Sequence, residues 1–270
     1  MRLVSSIAAV VAVAALLAGA SAGRLDAKKP LVPRLQHVVV VVFENEERRS
    51  VLGSGAAPTF DGLATGYAQA TNYRGVAHPS LPNYLALVSG STHGVADDCT
   101  DCPQTGPTIG TQLSARHSSW AAYAEGYPSS PRFAKKHVPF LYFPGGSGHV
   151  FDLSRFNPRH LPAYSLVIPD LCDDMHDCSV QTGDRWLSTF IKPLLAAKRT
   201  AVFIVFDEGT TDLGGGGNVP LIVAGSAVKR HAVITGATTH YSLLRTAEAL
   251  LGLPPLGHAR SAPLLTGIWR

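Results

Sequence analysis

Between His37 and Phe43 the chain reads HVVVVVF, in which five consecutive valines leave no polar position for a solvated face. A short β-branched run without alternation fits a strand covered on both sides, as in a parallel sheet between layers of helices. Runs of the same kind recur at 164–168 (YSLVI), 200–206 (TAVFIVF) and 219–224 (VPLIVA). Helical patterns separate or follow them at 82–89 (PNYLALVS), 184–197 (DRWLSTFIKPLLAA, which Pro193 should bend or interrupt) and 240–251 (HYSLLRTAEALL). Strands alternating with helices predict an α/β fold around a largely parallel sheet. Residues 91–163 are rich in Gly, Pro and Ser and show no clear period, so loops and short elements over a site are expected there.

Ahead of this region, Met1–Ala22 carries Arg2, an almost unbroken apolar run from Ile7 to Leu17, and the small-residue ending AGASAG. That is the pattern of an export signal, cut near Ala22 to give a secreted chain. An uncleaved anchor would use the same run, which approaches the roughly 20 apolar residues of a bilayer span. The small residues at Ala20 and Ala22 favour cleavage, so no stable membrane anchor is expected in the mature chain. Residues 23–36, with Pro30 and Pro33, read as an extended lead-in, and 37–270 as a single domain. Export places the four cysteines in an oxidising compartment, where disulfides persist. Of the three possible pairings, Cys99–Cys102 with Cys172–Cys178 is the simplest; a zinc site is the competing use, and the spacing of the second pair disfavours it. The net charge of +4 is spread over short clusters, so no nucleic-acid partner is expected.

In an α/β sheet of this kind, ligands bind beyond the carboxyl ends of the strands. Two of the strong runs end there in acidic pairs, Glu44-Asn45 and Asp207-Glu208. Either pair alone reads as the cap of a following helix. Brought to one edge, three carboxylates and a carboxamide would repel one another unless a cation lay between them. Oxygen donors of this type suit one divalent ion, Mg²⁺, Ca²⁺ or Mn²⁺, and can also hold Zn²⁺. Glu46 and Glu47 are expected to face solvent.

Ser80 precedes a helix whose start Pro82 marks, where backbone N–H groups favour a phosphate. Beside a divalent ion its hydroxyl becomes a nucleophile; without one it caps the helix. His78 orients the site or packs in the turn. His176, set among Asp173, Asp174 and Asp177, suits a general acid for an alkoxide leaving group, and those aspartates offer an alternative cation site. The run LGGGGN at 213–218 lacks nucleotide-binding spacing and reads as a solvated loop near the site.

Together, FEN (43–45), HPSLPNYLAL (78–87), KHVPF (136–140), DMHD (174–177) with GDRWL (183–187), FDEG (206–209) and HYSLLRTAEALLGL (240–253) resemble the bacterial phosphoesterase family, which groups acid phosphatases with phospholipases C. The resemblance spans nearly the whole mature chain and implies a three-layer α/β/α, alkaline-phosphatase-like fold. It implies that Glu44, Asn45, Asp207 and Glu208 hold a metal together with Ser80, that Ser80 accepts the phosphoryl group, and that His176 binds phosphate or donates a proton. Asn45, His78, Asp174, Asp177 and His240 are the candidate substrate contacts, His240 through the resemblance alone. The segment EERRS after Glu44-Asn45 departs from the family, where His or Arg and then Ser-Tyr often follow. Ending at Arg270, the chain lacks the further domains of the larger phospholipases C, which favours the acid phosphatase branch and phosphomonoester substrates, phosphoinositides and other phospholipid head groups among them. A phospholipase C acting on diesters is the alternative; a serine hydrolase is disfavoured because no G-x-S-x-G elbow occurs.

Overall fold

A computed structural model of the protein describes residues 31–270. The signal segment and the lead-in as far as residue 30 lie outside the described residues. From Leu31 to Gln36 the lead-in forms no helix or strand and is tied down where Leu35 N–H donates to the Leu250 carbonyl. The strands are β1 (His37–Phe43), β2 (Ala68–Ala70), β3 (Tyr73–Arg74), β4 (Trp120–Ala124), β5 (Val150–Asp152), β6 (Tyr164–Ile168), β7 (Thr200–Phe206), β8 (Leu221–Ala224), β9 (Ala232–Ile234) and β10 (Thr238–Thr239). The α-helices are α1 (Arg48–Val51), α2 (Pro58–Gly66), α3 (Ser80–Ser89), α4 (Ile109–Ser114), α5 (Val180–Phe190), α6 (Lys192–Leu195) and α7 (His240–Leu251). A large sheet runs in the order β5-β4-β6-β1-β7-β8-β2-β9, with β3 and β10 paired separately. Within the large sheet β8 alone is antiparallel to its neighbours. Helix α3 packs on α7 and α2 on α5, completing the α/β layering that the alternating pattern predicts. Among the described residues no helix is long and apolar enough to cross a membrane.

β1 lies at the middle of this sheet between β6 and β7, and Val38 to Phe43 have no exposed surface, as the unbroken valine run requires. Its register with β7 pairs Phe43 with Phe206, and Asp207 N–H donates to the Phe43 carbonyl at 3.0 Å. On the other side Glu44 N–H donates to the Asp174 carbonyl at 2.9 Å. The loops after β1, β6 and β7 therefore leave the sheet side by side.

Several expectations are corrected. Residues 91–163 hold the expected loops and short elements, but two of these, β4 and β5, extend the sheet; the alanines of WAAYA have little β-propensity and hide a fully buried strand. α3 begins at Ser80, two residues earlier than Pro82 suggests, with Pro79 at the N-cap. α5 begins at Val180 and breaks at Ile191, with α6 restarting around Pro193 as that proline predicts. Both local disulfides form, with Cα separations of 5.9 Å for Cys99–Cys102 and 4.7 Å for Cys172–Cys178, so the zinc alternative is discarded.

The carboxyl ends of β1 and β7 rest on an aromatic floor. The Phe43 ring meets Phe60 edge-on at 5.1 Å, stacks on Phe206 at 5.4 Å and touches Trp186 at 5.8 Å. Phe43→Ala is expected to cost about 3–5 kcal/mol in denaturant unfolding, because a cavity would open under the two acidic pairs. A second stability device is Glu248 on α7. It is fully buried, its Oε1 accepts the Leu256 N–H at 2.9 Å, and its Oε2 has no partner. Burial pushes this carboxyl up to about 8 despite Arg245 and Arg260 nearby. The folded chain thus holds a proton that the unfolded chain releases above the ordinary carboxyl range. Stability from this group is full at acid pH and declines as pH rises to about 8. Glu248→Gln should flatten that decline, raising Tm at pH 8 more than at pH 5 in thermal melts.

Candidate active site

Ser80 opens the first turn of α3 and is 1% exposed, and its hydroxyl makes no cap bond. Instead its Oγ lies 3.0 Å from Glu44 Oε2 and 3.0 Å from Glu208 Oε1. Glu44 also accepts from the Tyr84 hydroxyl at 2.6 Å, one turn along the same helix. Asn45 adopts the left-handed backbone conformation at φ 56°, which asparagine tolerates better than most residues. Its N–H donates to Asp207 Oδ1 at 3.3 Å, while Asp207 Oδ2 is buried without a hydrogen-bond partner. An open cavity of about 430 Å³ lies over this cluster, lined by Asn45, His78, Glu208, Gly209, Thr210 and Asp212. Glu44, Asn45, Ser80, Asp207 and Glu208 therefore do converge.

A second group comes from residues 136–177. His137 is buried, with Nε2 3.3 Å from Glu44 Oε1 and Nδ1 3.3 Å from Asp174 Oδ2, and it stacks on Tyr84 at 5.1 Å. Burial, with Lys136 and His176 as like charges, holds His137 well below the usual imidazole range. A neutral ring carries one N–H for its two carboxyl neighbours. His176 lies beside it, the two rings 5.7 Å apart, with Nδ1 on Asp177 Oδ1 at 2.6 Å and Nε2 3.4 Å from Lys136 Nζ. Lys136 also pairs with Asp98 at 2.8 Å, and Asp98 accepts the Leu81 N–H at the start of α3. His137, Tyr84 and Lys136 had no predicted role, although the KHVPF motif contains two of them.

The remaining candidates sit differently. Asp174 has no exposed surface and serves the site from behind, accepting His176 N–H and facing His137. Asp177 is an exposed partner of His176. His240 is wholly buried at the start of α7; Nδ1 meets the Tyr73 hydroxyl at 2.8 Å and Nε2 meets the Asp207 carbonyl. Both ring nitrogens are occupied by the protein, so this structure offers neither to a substrate. His78 reaches the site edge, bonded to Glu208 and to the Thr211 carbonyl. Burial works against its charge, but the Thr211 carbonyl and Glu208 carboxylate prevail and hold its pKa up.

Glu47 does not face solvent. It accepts from Thr211 N–H and hydroxyl and from Asn218 N–H, pinning the ends of the glycine loop. That loop is solvated at Leu213–Gly215, as expected, and packed at Gly216 and Gly217; Gly215 and Gly216 lie so close to the Val76 and Ala77 carbonyls that a Cβ would collide.

The donor chemistry fits a divalent cation. Burial, then the Asp207 and Asp174 charges, raises Glu44 well above the carboxyl range; burial and Glu208 push Asp207 up to about 8; burial raises Glu208. Buried acids crowded in this way must hold protons or share a cation, and the unpartnered Asp207 Oδ2 is a donor left over for one. Glu44, Asn45, Ser80, Asp207 and Glu208 would supply it with hard oxygen ligands. Atoms of Glu44, His137 and His176 also lie within 4.8 Å of one another, giving the cluster an imidazole side.

The carboxyl edge of this largely parallel sheet thus carries a serine flanked by two carboxylates. The model of the Phosphoesterase family matches residues 51–254, and the chain belongs to that family. It is 33% identical over 254 residues to the phosphatidylinositol-3-phosphatase of Mycobacterium tuberculosis, covering 88% of this chain and 84% of that one. It is 30% identical to the phosphate-repressible acid phosphatase of Penicillium chrysogenum over 69% of this chain, which spans about half (52%) of the fungal enzyme. Among solved structures, an alkaline phosphatase superfamily protein from Vibrio parahaemolyticus superposes with a TM-score of 0.65 at 14% identity, over 86% of this chain and 71% of that one. The lipoteichoic acid synthase LtaP of Listeria monocytogenes gives 0.63 at 11% identity, over 85% and 76%. These structural likenesses carry the fold. The family membership makes the chain a phosphoric-ester hydrolase.

Proposed function

We propose that this chain is a secreted, metal-dependent phosphomonoesterase that works through a phosphoserine at Ser80. The observation that carries the reading is the Ser80 hydroxyl, 3.0 Å from both the Glu44 and Glu208 carboxylates at the start of a buried helix. A divalent cation held by Glu44, Asn45, Asp207 and Glu208 would lower the pKa of the serine hydroxyl and offset charge on the phosphate oxygens. Ser80 Oγ attacks phosphorus in line and gives its proton to the adjacent carboxylates. The bond from phosphorus to the leaving oxygen breaks, and His176, oriented by Asp177, protonates that oxygen. Water then attacks the phosphoserine and gives a proton to the neutral His176, the bond from phosphorus to Oγ breaks, and Ser80 takes back the proton held by the adjacent carboxylate as phosphate departs. His137 keeps Glu44 and Asp174 in place, while Lys136 supplies a positive charge for the phosphate oxygens.

The relative named as a phosphatidylinositol-3-phosphatase supports a phosphoinositide head group as substrate, and the fungal relatives support acid phosphatase activity on simpler monoesters. Two disulfides and the apolar first 22 residues with their small-residue ending support secretion. The test is phosphate release from aryl monoesters, monophosphorylated phosphoinositides and phosphatidylcholine, with and without chelator. Chelator-sensitive phosphate release from the first two is expected. Phosphocholine and diacylglycerol from phosphatidylcholine, with no free phosphate from any monoester, would turn the reading to a phospholipase C.

A further inference from the structure

The loop 209–217 is a wall of two cavities. Gly209, Thr210 and Asp212 line the one beside Asn45 and Glu208, while Gly214 lines a second, of about 330 Å³, with Arg74, Thr238, Thr239, Ser242 and His258. No acidic residue lines this second cavity. Arg74 contributes its guanidinium, whose Nε is buried without a hydrogen-bond partner; among the described residues no carboxylate pairs with it. A guanidinium brings five donors and no acceptor; Arg74 is partly exposed, but its buried Nε is a donor whose lack of a partner is costly. Its surroundings are built rather than incidental. β3 and β10 pair in parallel so that Arg74 stands directly beside Thr239, and the Arg74 backbone bridges to Asn218. Gly214, at φ 72°, lets the Arg74 stem lie against the loop where a Cβ would collide with it. The hydroxyls of Thr239 and Ser242 and the imidazole of His258, near the Tyr241 ring at 5.1 Å, add polar groups to a lining that also holds Ala237, Ala262 and Pro263, while the Thr238 hydroxyl is turned to the Asn72 carbonyl.

We propose that this cavity is a second oxyanion site, which takes a phosphate group on the Arg74 guanidinium. A tetrahedral dianion matches the fork of the guanidinium and the hydroxyls around it, and a cavity with no carboxylate does not oppose it. The phosphate is either free inorganic phosphate or a second phosphate of a polyphosphorylated ester whose first phosphate lies at Ser80. This site goes beyond the hydrolysis proposed for Ser80, and its test counts bound ions without turnover, so either reading can fail alone.

Equilibrium dialysis of radiolabelled inorganic phosphate against the intact, metal-loaded protein measures it. Arg74→Gln should bind one phosphate fewer than the wild type, or bind it at least about tenfold more weakly, and Arg74→Lys should retain part of the affinity. Turnover of a small aryl monoester should stay within about twofold in both variants, since Arg74 lies outside the Ser80 cluster. A loss of kcat/KM confined to bisphosphorylated esters assigns the site to the substrate; loss of phosphate binding with both ester classes unaffected assigns it to free phosphate. Equal phosphate stoichiometry and affinity in wild type and Arg74→Gln overturns the proposal.

Discussion

Ser80→Ala is expected to lower kcat by about 10⁴-fold or more while leaving Tm within a few degrees of the wild type. The large kinetic effect follows from the chemistry: without Oγ no phosphoserine forms, and nothing else at the start of α3 presents a nucleophile between Glu44 and Glu208. The small structural effect follows from what the hydroxyl does not do. It caps no helix N–H, since Pro79 is the N-cap and the Leu81 N–H is taken by Asp98. Alanine is the better helix former, which offsets part of the roughly 1 kcal/mol lost with a hydrogen bond. Rapid quench with labelled substrate should trap phosphate on the wild-type chain and none on the variant, while melting curves nearly coincide. Ordinary turnover by Ser80→Ala would remove the serine from the mechanism.

The sheet was legible where burial on both faces leaves an unbroken apolar run, as in β1, β6 and β7, whose limits match the sequence pattern residue for residue. It was not legible in β4, an alanine-rich strand, or in β2 and β9, three residues each, which are too short to show a period. The site followed the same division. Glu44 and Asp207 stand out because each directly follows a strong strand, and Ser80 because prolines mark its helix. His137 lies in a 3₁₀ turn with no periodic context, and only its place in KHVPF marks it. Glu47 misleads because its partners Thr211 and Asn218 are 164 and 171 residues away, so a sequence window shows an acidic surface where folding makes a buried clamp. His240 shows the limit of a motif: its position is shared with a family pattern, yet here the ring ties α7 to Tyr73 and Asp207.

Stripping the protein of metal with a chelator should abolish turnover and lower Tm, with both restored by a divalent ion. A ligand that binds only the folded chain stabilises it by about 2.7 kcal/mol at a hundredfold excess over Kd, so its removal is visible as a shift of several degrees. The pH dependence makes the expectation specific. In the metal-free chain, burial and neighbouring charge push Asp174 and Asp207 up to about 8 and raise Glu44 with them, so the folded state holds protons that the unfolded state gives up. Stability of that form is full below the ordinary carboxyl range and falls as pH rises to about 8. Bound cation replaces those protons and removes this decline, whereas Glu248 contributes equally to both forms and cancels. The Tm gap between loaded and stripped protein should therefore widen from pH 5 to pH 8, and Asp207→Asn should narrow it while abolishing metal-dependent turnover. Full activity after exhaustive chelation, with coincident melts at both pH values, would mean that these acids are neutral structural groups and that no ion takes part.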